Sequence, residues 1–215
     1  HEIRTPMSLI ISPLQQLMAK DKDAECRKLY STIQRNAERI LQLVNQLMDI
    51  RKIDKGQMSL MFKKAEIVSF TRDLLETFEQ QTRVKKLDLK FHTSAPEIEM
   101  WIDPKNFDKI ILNLLSNACK FTPENGQVEI SLSTGEDTHL PQNAPLRRYV
   151  ELTVADSGIG IASTEREHIF ERFYQIRNSQ NNSNIGTGIG LHLTRSLVEL
   201  HYGNIHVEDN GEGRP

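Results

Sequence analysis

Asn113-Leu114-Leu115-Ser116-Asn117-Ala118-Cys119-Lys120-Phe121-Thr122 is the stretch on which the reading of the fold turns. Phe107, Ile110, Ile111, Leu114, Leu115 and Ala118 recur at helical spacing and make one broad apolar face. At about 100° per residue, Asn113, Asn117 and Lys120 fall together on a neighbouring stripe. A neutral amide oxygen can ligate a hard cation such as Mg²⁺, and a Lys ammonium can meet a phosphate. In isolation a solvated polar face would look the same, so the flanking sequence has to decide.

Immediately upstream, Asp103 is an N-cap and Pro104 takes the first helical position, which opens this helix. Glu99-Met100-Trp101-Ile102 leads into the cap, and before it Leu87, Leu89 and Phe91 alternate as a strand. Earlier still, Met58, Leu60 and Phe62 alternate, and a helix carrying Ile67, Phe70, Leu74, Leu75 and Phe78 follows. Downstream, Val128, Ile130 and Leu132 alternate with polar residues, as do Val150, Leu152 and Val154. A polar, Pro-containing loop from Gly135 to Arg148 joins these two strands. Half-buried alternating strands suit an antiparallel or mixed sheet with helices on one face, an α/β sandwich over residues 57–215.

The first 56 residues follow a different period. Ile3, Met7, Ile10, Leu14 and Leu17 step by four and three, which is a heptad seam. After the polar break Asp21-Lys22-Asp23, a second helix carries Leu29, Ile33, Asn36, Ile40, Leu43, Leu47 and Ile50 in the same step, and Gly56 ends it. Leu41, Val44 and Met48 widen that face beyond a two-stranded seam. A two-helix hairpin cannot bury so much apolar surface alone; pairing with a second copy into a four-helix bundle buries it. Packing against the second domain is the alternative. The fold class is thus α+β: a helical hairpin at residues 1–56, then the sandwich.

Composition excludes several classes. The chain has 215 residues, 38% of them hydrophobic, and a formal net charge of -2, so nothing suggests a nucleic-acid surface. Cys26 and Cys119 lack metal-ligand spacing and read as free thiols in a reducing compartment. No run approaches the roughly 20 apolar residues of a membrane span. The first residue is His1, not Met, and the chain reads as a fragment of something longer.

Four further stretches carry chemistry. Asp156-Ser157-Gly158-Ile159-Gly160 follows a strand directly. An Asp there can accept the exocyclic amine of adenine, and the glycines let a flat ring approach the backbone, although an ordinary strand-to-loop turn has the same letters. Gly186-Thr187-Gly188-Ile189-Gly190-Leu191 precedes a helix running to His201; free backbone N–H groups at such a start make an anion site, or the string is a hinge. It fits neither the dinucleotide fingerprint nor a P-loop. Between them, Ile169-Phe170-Glu171-Arg172-Phe173-Tyr174 precedes a run rich in Asn, Ser and Gln, which has the composition of a lid with an aromatic base; Phe170 and Phe173 at i, i+3 could equally be core. Last, His1-Glu2-Ile3-Arg4-Thr5-Pro6 places an imidazole beside a carboxylate, about 160° from the Ile3 seam position and so toward solvent, with Thr5 one turn on.

In this order, these stretches and Asn113–Thr122 resemble the sensor histidine kinases of two-component signalling across essentially the whole chain. The second domain resembles the nucleotide-binding fold shared by gyrase-type, Hsp90-type and MutL-type ATPases. The phrasing Leu43-Val44-Asn45-Gln46-Leu47-Met48-Asp49-Ile50-Arg51-Lys52 and Glu199-Leu200-His201-Tyr202-Gly203 further resembles hybrid two-component sensors of Bacteroides-type bacteria. The resemblance implies ATP and Mg²⁺ as cofactors. It implies Asp156 at the adenine, with Gly158 and Gly160 beside it, and Asn117 on the metal. Asn113, Lys120, Gly186, Thr187, Gly188, Gly190 and Leu191 then lie at the phosphates, and Phe170, Arg172 and Phe173 at the lid. It implies phosphorylation of His1 with Glu2 fixing its tautomer, and a water-orienting role for Thr5 in dephosphorylating the partner. The implied partners are a second copy and an Asp of a response-regulator receiver domain, in the same chain or a separate one. The implied setting is the cytoplasmic portion of a membrane-anchored bacterial sensor controlling transcription. ATPases of this fold place a Glu four residues before the metal-binding Asn; here that position is Asn113, which cannot act as a base. Because the sequence stops soon after Ile205-His206-Val207-Glu208, the family's last strands are expected to be missing.

Overall fold

Asp103 opens the central helix as an acidic N-cap should: its backbone is extended and its Oδ1 accepts a hydrogen bond from the Asn106 N–H at 3.2 Å. The computed structural model describes residues 4–136, 147–176 and 186–209, and it divides into two units, His1–Ser59 and Leu60–Pro215.

The first unit is a hairpin of α1 (Arg4–Lys20) and α2 (Ala24–Asp54). The polar break read between them is a cap: the Asp23 carboxylate accepts from the backbone N–H groups of Glu25 and Cys26, and Asp21 accepts from Asp23 N and from the Tyr30 hydroxyl. At the far end Gly56 has φ +62 and Gln57 N donates to Lys52 O, a six-residue closure that needs the left-handed conformation. Among the described residues of this unit, Met7, Leu14, Ala37 and Ile50 are the buried apolar ones. The seam is only partly closed within the hairpin: its members Met7, Leu14 and Ile50 are buried. Leu29, Ile33, Ile40 and Leu47 remain 44–60% exposed, and Ile10 and Leu17 of α1 are exposed as well.

The second unit begins with β1 (Lys63–Glu66), α3 (Ile67–Glu76), α4 (Glu79–Lys85), β2 (Asp88–Thr93), β3 (Glu99–Ile102) and the central helix α5 (Pro104–Phe121). It continues with β4 (Gln127–Glu136), β5 (Arg148–Asp156) and α6 (Gly190–Leu200). A three-stranded sheet runs β2-β4-β5, with β2 and β4 parallel and β4 and β5 antiparallel, so it is mixed; β1 and β3 form a separate antiparallel pair. Helix α5 packs against β5, α6 and α3. The core joins Val128, Ile130 and Leu132 of β4 to Ile111 and Leu115 of α5, Leu197 of α6 and Ile67 and Val68 of α3. Burial of that many aliphatic side chains, at about 1.5–3 kcal/mol each, is the main force holding the layers.

Two expectations are corrected. Residues 58–62 are not a strand. The ladder between β1 and β3 ends at the pair Lys63 and Ile102, because the next residue, Asp103, is already the cap of α5. The chain at 61–62 is held instead by Met61 N donating to Asp103 Oδ2 at 2.9 Å and by Phe62 against the rings of His201 and Tyr202. The helix from Ile67 also stops at Glu76, and α4 follows. Helix α4 ends on Lys86 at φ 55, with Leu87 N donating to Thr82 O. A helix stop of this kind normally carries Gly, and the lysine hides it from a sequence reading.

Glu66 fixes the entry to this unit. Its carboxylate caps α3 by accepting from Val68 N and Ser69 N, and it also accepts from Ile98 N, just before β3. Burial alone pushes the carboxyl up, but the N–H groups of Ile98, Ser69 and Val68 and the Ser69 hydroxyl outweigh it and hold the pKa at about 2. A depressed folded-state value means this stabilisation is present above the ordinary carboxylate range near 4.5 and is lost as the pH falls toward 2. Glu66→Gln is expected to destabilise the unit by about 1–2 kcal/mol at neutral pH. Urea unfolding of the variant should show a flatter loss of stability than the parent as the pH falls toward 2.

Candidate functional site

The polar stripe of α5 meets the glycine loop that starts α6. Asn113 Nδ2 donates to Thr194 Oγ1 at 2.7 Å, and Thr194 is fully buried. This leaves Asn113 Oδ1 toward the backbone of Gly190, where an added Cβ would stand 2.3 Å from it. Two turns along α5, the Lys120 ammonium lies beside Gly186, 3.2 Å from where its Cβ would be. Asn117, half-buried, sits between them on the same stripe. The helix therefore presents the Asn113 amide and the Lys120 ammonium to residues 186–190. Within that loop Gly188 has φ +67, and a Cβ there would come within 3 Å of the Phe173 backbone, so neither the conformation nor the space admits a side chain. Thr187 Oγ1 accepts from Ile189 N, and Leu191 is half-buried at the start of α6.

Asp156 ends β5 and is half-buried. Burial pushes its carboxyl above the usual carboxylate range, and the Gly158 N–H, donating to Oδ1 at 2.8 Å, pulls the other way. A Cβ on Gly158 would lie 2.4 Å from that oxygen and 2.8 Å from the Phe121 carbonyl at the end of α5. Glycine at 158 is thus what lets the Asp156 turn pack against α5. Gly160 has φ +71 and open space around it.

The aromatic stretch divides. Phe170 is buried in a single 3-10 turn, His168–Phe170, whereas Phe173 is exposed at φ 64 and held through its backbone, N to Gly188 O at 2.8 Å. Only the first of the two is core. Arg172 Nε donates to His192 Nε2 at 2.9 Å, and His192 Nδ1–H donates to Phe170 O at 3.0 Å; these partners assign the neutral tautomer with the proton on Nδ1. At the other unit, Thr5 is exposed in the first turn of α1, and His1 and Glu2 lie outside the described residues.

Thr194 and His192 were not singled out by the sequence. Thr194 could have been: it lies one turn after Gly190 on α6 and so shares its face. Chemically, the face offers amide oxygens, an ammonium and loop N–H groups at a helix start, which suit a polyanion carried with a hard cation. Among the described residues no cluster of three or more His, Cys, Asp or Glu could hold a metal.

Residues 102–214 match the family model described as histidine kinase-, DNA gyrase B-, and HSP90-like ATPase, and residues 1–56 match the His kinase A (phospho-acceptor) domain. The sensor histidine kinase TmoS of Ectopseudomonas mendocina is 38% identical over 211 residues, covering 97% of this chain and 21% of that protein. Hybrid signal transduction histidine kinase D of Dictyostelium discoideum is 34% identical over 214 residues, covering 99% of this chain and 14% of that protein. The chain thus spans about a fifth or less of the length of these two relatives. Among solved structures, full-length ShkA in complex with AMPPNP superposes with a TM-score of 0.72 at 26% identity, over 93% of this chain and 39% of that one.

The contact between Gly190 and Asn113 has a measurable sign. Alanine at a helical position normally adds up to about 1 kcal/mol over glycine. Against the Asn113 amide, Gly190→Ala is expected to destabilise instead, by about 1–2 kcal/mol. Combining it with Asn113→Ala should recover most of that loss in a double-mutant cycle read by chemical denaturation.

Proposed function

The chain belongs to the sensor histidine kinases of two-component signalling, and we propose that it is the phosphoacceptor and ATP-binding part of a longer sensor, in which His1 becomes phosphorylated and passes the group to an Asp of a response-regulator receiver domain. The observation that carries this reading is the junction of Asn113 and Lys120 with the 186–190 loop, with the Asp156–Gly158 turn packed at the end of the same helix.

Bound ATP with Mg²⁺ supplies the γ-phosphoryl group and an ion that offsets its charge. Asp156 accepts the adenine amine, while the Gly158 N–H favours its ionised form against burial. Gly158 and Gly160 leave the ring room. Asn117 contributes an amide oxygen to the metal. Lys120 and the N–H groups of Gly186, Thr187, Gly188 and Gly190 hold phosphate oxygens at the start of α6, with Leu191 closing the loop. Phe170, Arg172 and Phe173 precede the proposed lid, whose residues 177–185 lie outside those described. His1 Nε2 forms the new bond to phosphorus as ADP departs, and Glu2 accepts the Nδ1–H hydrogen bond that keeps Nε2 nucleophilic. Thr5 orients water when the partner is dephosphorylated. Asn113 is held by Thr194 and is no base, so nothing at that position activates water for idle hydrolysis.

Incubation with γ-labelled ATP, using a chain extended upstream of His1, tests this directly. Acid-labile, base-stable label should appear on the protein. It should vanish in His1→Gln and in Asn117→Asp, which sets an extra negative charge beside the triphosphate. Labelling that persists in both variants would discard the assignment.

The partner proposed for the hairpin is a second copy. Leu29, Ile33, Ile40 and Leu47 remain exposed on α2, and such a row is closed by a matching row in a four-helix bundle. No described helix is long and apolar enough to cross a membrane, and we assign this part to the cytoplasmic side of a membrane-anchored sensor. Light scattering should give twice the monomer mass. Leu43→Asp with Leu47→Asp, which would bury unpaired charges, should give the monomer.

A further inference from the structure

The C-terminal end of α5 is closed from outside the helix. The last carbonyls of any helix lack intrahelical partners. Here Ala118 O accepts from both Thr122 N and Thr122 Oγ1, and Phe121 O faces Gly158. The remaining three, Cys119 O, Lys120 O and Thr122 O, all accept from a single ammonium, Lys85 Nζ, at 2.7, 3.0 and 2.7 Å. An ammonium has three donors, and all three are used on carbonyls 34–37 residues away in sequence. Lys85 is itself fixed. It is the last residue of α4, the left-handed Lys86 follows it, and its carbonyl accepts from Asn125 N.

We propose that Lys85 is a positioning residue for the nucleotide site: its ammonium sets the end of α5, and through it the places of Lys120 and of the Asp156–Gly158 turn. The role rests on the nucleotide reading of that site. Lys120 carries one of the three carbonyls and presents its own ammonium to Gly186. Phe121, between two bonded residues, is the wall against which Gly158 and hence Asp156 pack. A shift of this last turn therefore moves both ends of a nucleotide site together. The positive charge also lies at the negative end of the α5 dipole, where it is favourable. Lys85 meets the polar stripe at the Lys120 carbonyl, so it acts through the backbone of α5.

A residue that merely stabilised the fold would change the melting temperature and leave ATP affinity alone at temperatures well below unfolding. Positioning predicts a change in affinity there. Titration calorimetry with ATP and Mg²⁺ on the whole chain, at a temperature where each variant is folded, separates the two. Lys85→Met should raise the ATP Kd by about tenfold. Lys85→Arg keeps the charge and the cap, but a planar fork does not converge on three carbonyls, so its Kd should rise by about threefold or more. Lys85→Cys in a Cys26→Ser background should bind as weakly as Lys85→Met. Alkylation of the new thiol with 2-bromoethylamine rebuilds an ammonium at nearly the native reach and should restore the parent Kd, since Cys119 is fully buried and protected. Parent-like affinity in Lys85→Met or Lys85→Arg, or failure of aminoethylation to restore binding, would overturn the proposal. If the parent chain itself binds no ATP, the nucleotide reading falls and this role with it.

Discussion

Asp103 ties two segments to the start of the helix that carries the candidate site. Its side chain caps α5 through Asn106 N and also holds Met61 N and Asn106 Nδ2, and its own N–H donates to His201 Nε2 at 3.2 Å. His201 Nδ1–H in turn donates to Leu197 O in the last turn of α6. Burial pushes the Asp103 carboxyl up, and the donors from Met61 and Asn106 outweigh it, so it is held ionised below its ordinary range. The same two segments meet again where Asn113 bonds Thr194, and again where Lys120 lies beside Gly186. The partners descend through 201, 194 and 186 as α5 ascends through 103, 113 and 120. The two chains therefore run antiparallel and are pinned along their length. The candidate site lies on the inside of that clamp.

Much of this was legible from residue spacing. The Asp103-Pro104 start, the apolar face of α5 and the alternation in β4 and β5 are all short-range patterns, and each survives because the core enforces it. The glycines were legible for a steric reason: at 158, 188 and 190 a Cβ would lie within 3 Å of neighbouring atoms. The exposed row on α2 was legible only in part, since a heptad pattern reports that a seam exists without saying which neighbour fills it.

What escaped the sequence depended on distant partners or on unusual backbone. Lys85 reads as one more surface lysine until the end of α5 folds around it. His192 and Thr194 acquire roles only when Phe170 and Asn113 arrive from elsewhere in the chain. The false strand at 58–62 had the right alternation but no partner, because the opposite chain turns into a helix cap. Lys86 and Phe173 adopt left-handed φ values that their side chains do not advertise. The proposed phosphoacceptor His1 and its neighbour Glu2 were read from the sequence and lie outside the described residues.

The open row on α2 ties the hairpin's folding to the number of molecules present. Leu29, Ile33, Ile40 and Leu47, 44–60% exposed, each hold back about half of the 1.5–3 kcal/mol of full burial until something apolar covers them. If that cover is another copy, the hairpin's stability is not a fixed property of one chain. It rises with concentration by mass action. Dilution then acts on this half of the molecule as a denaturant would, while the nucleotide-binding half, with its own closed core, does not feel it.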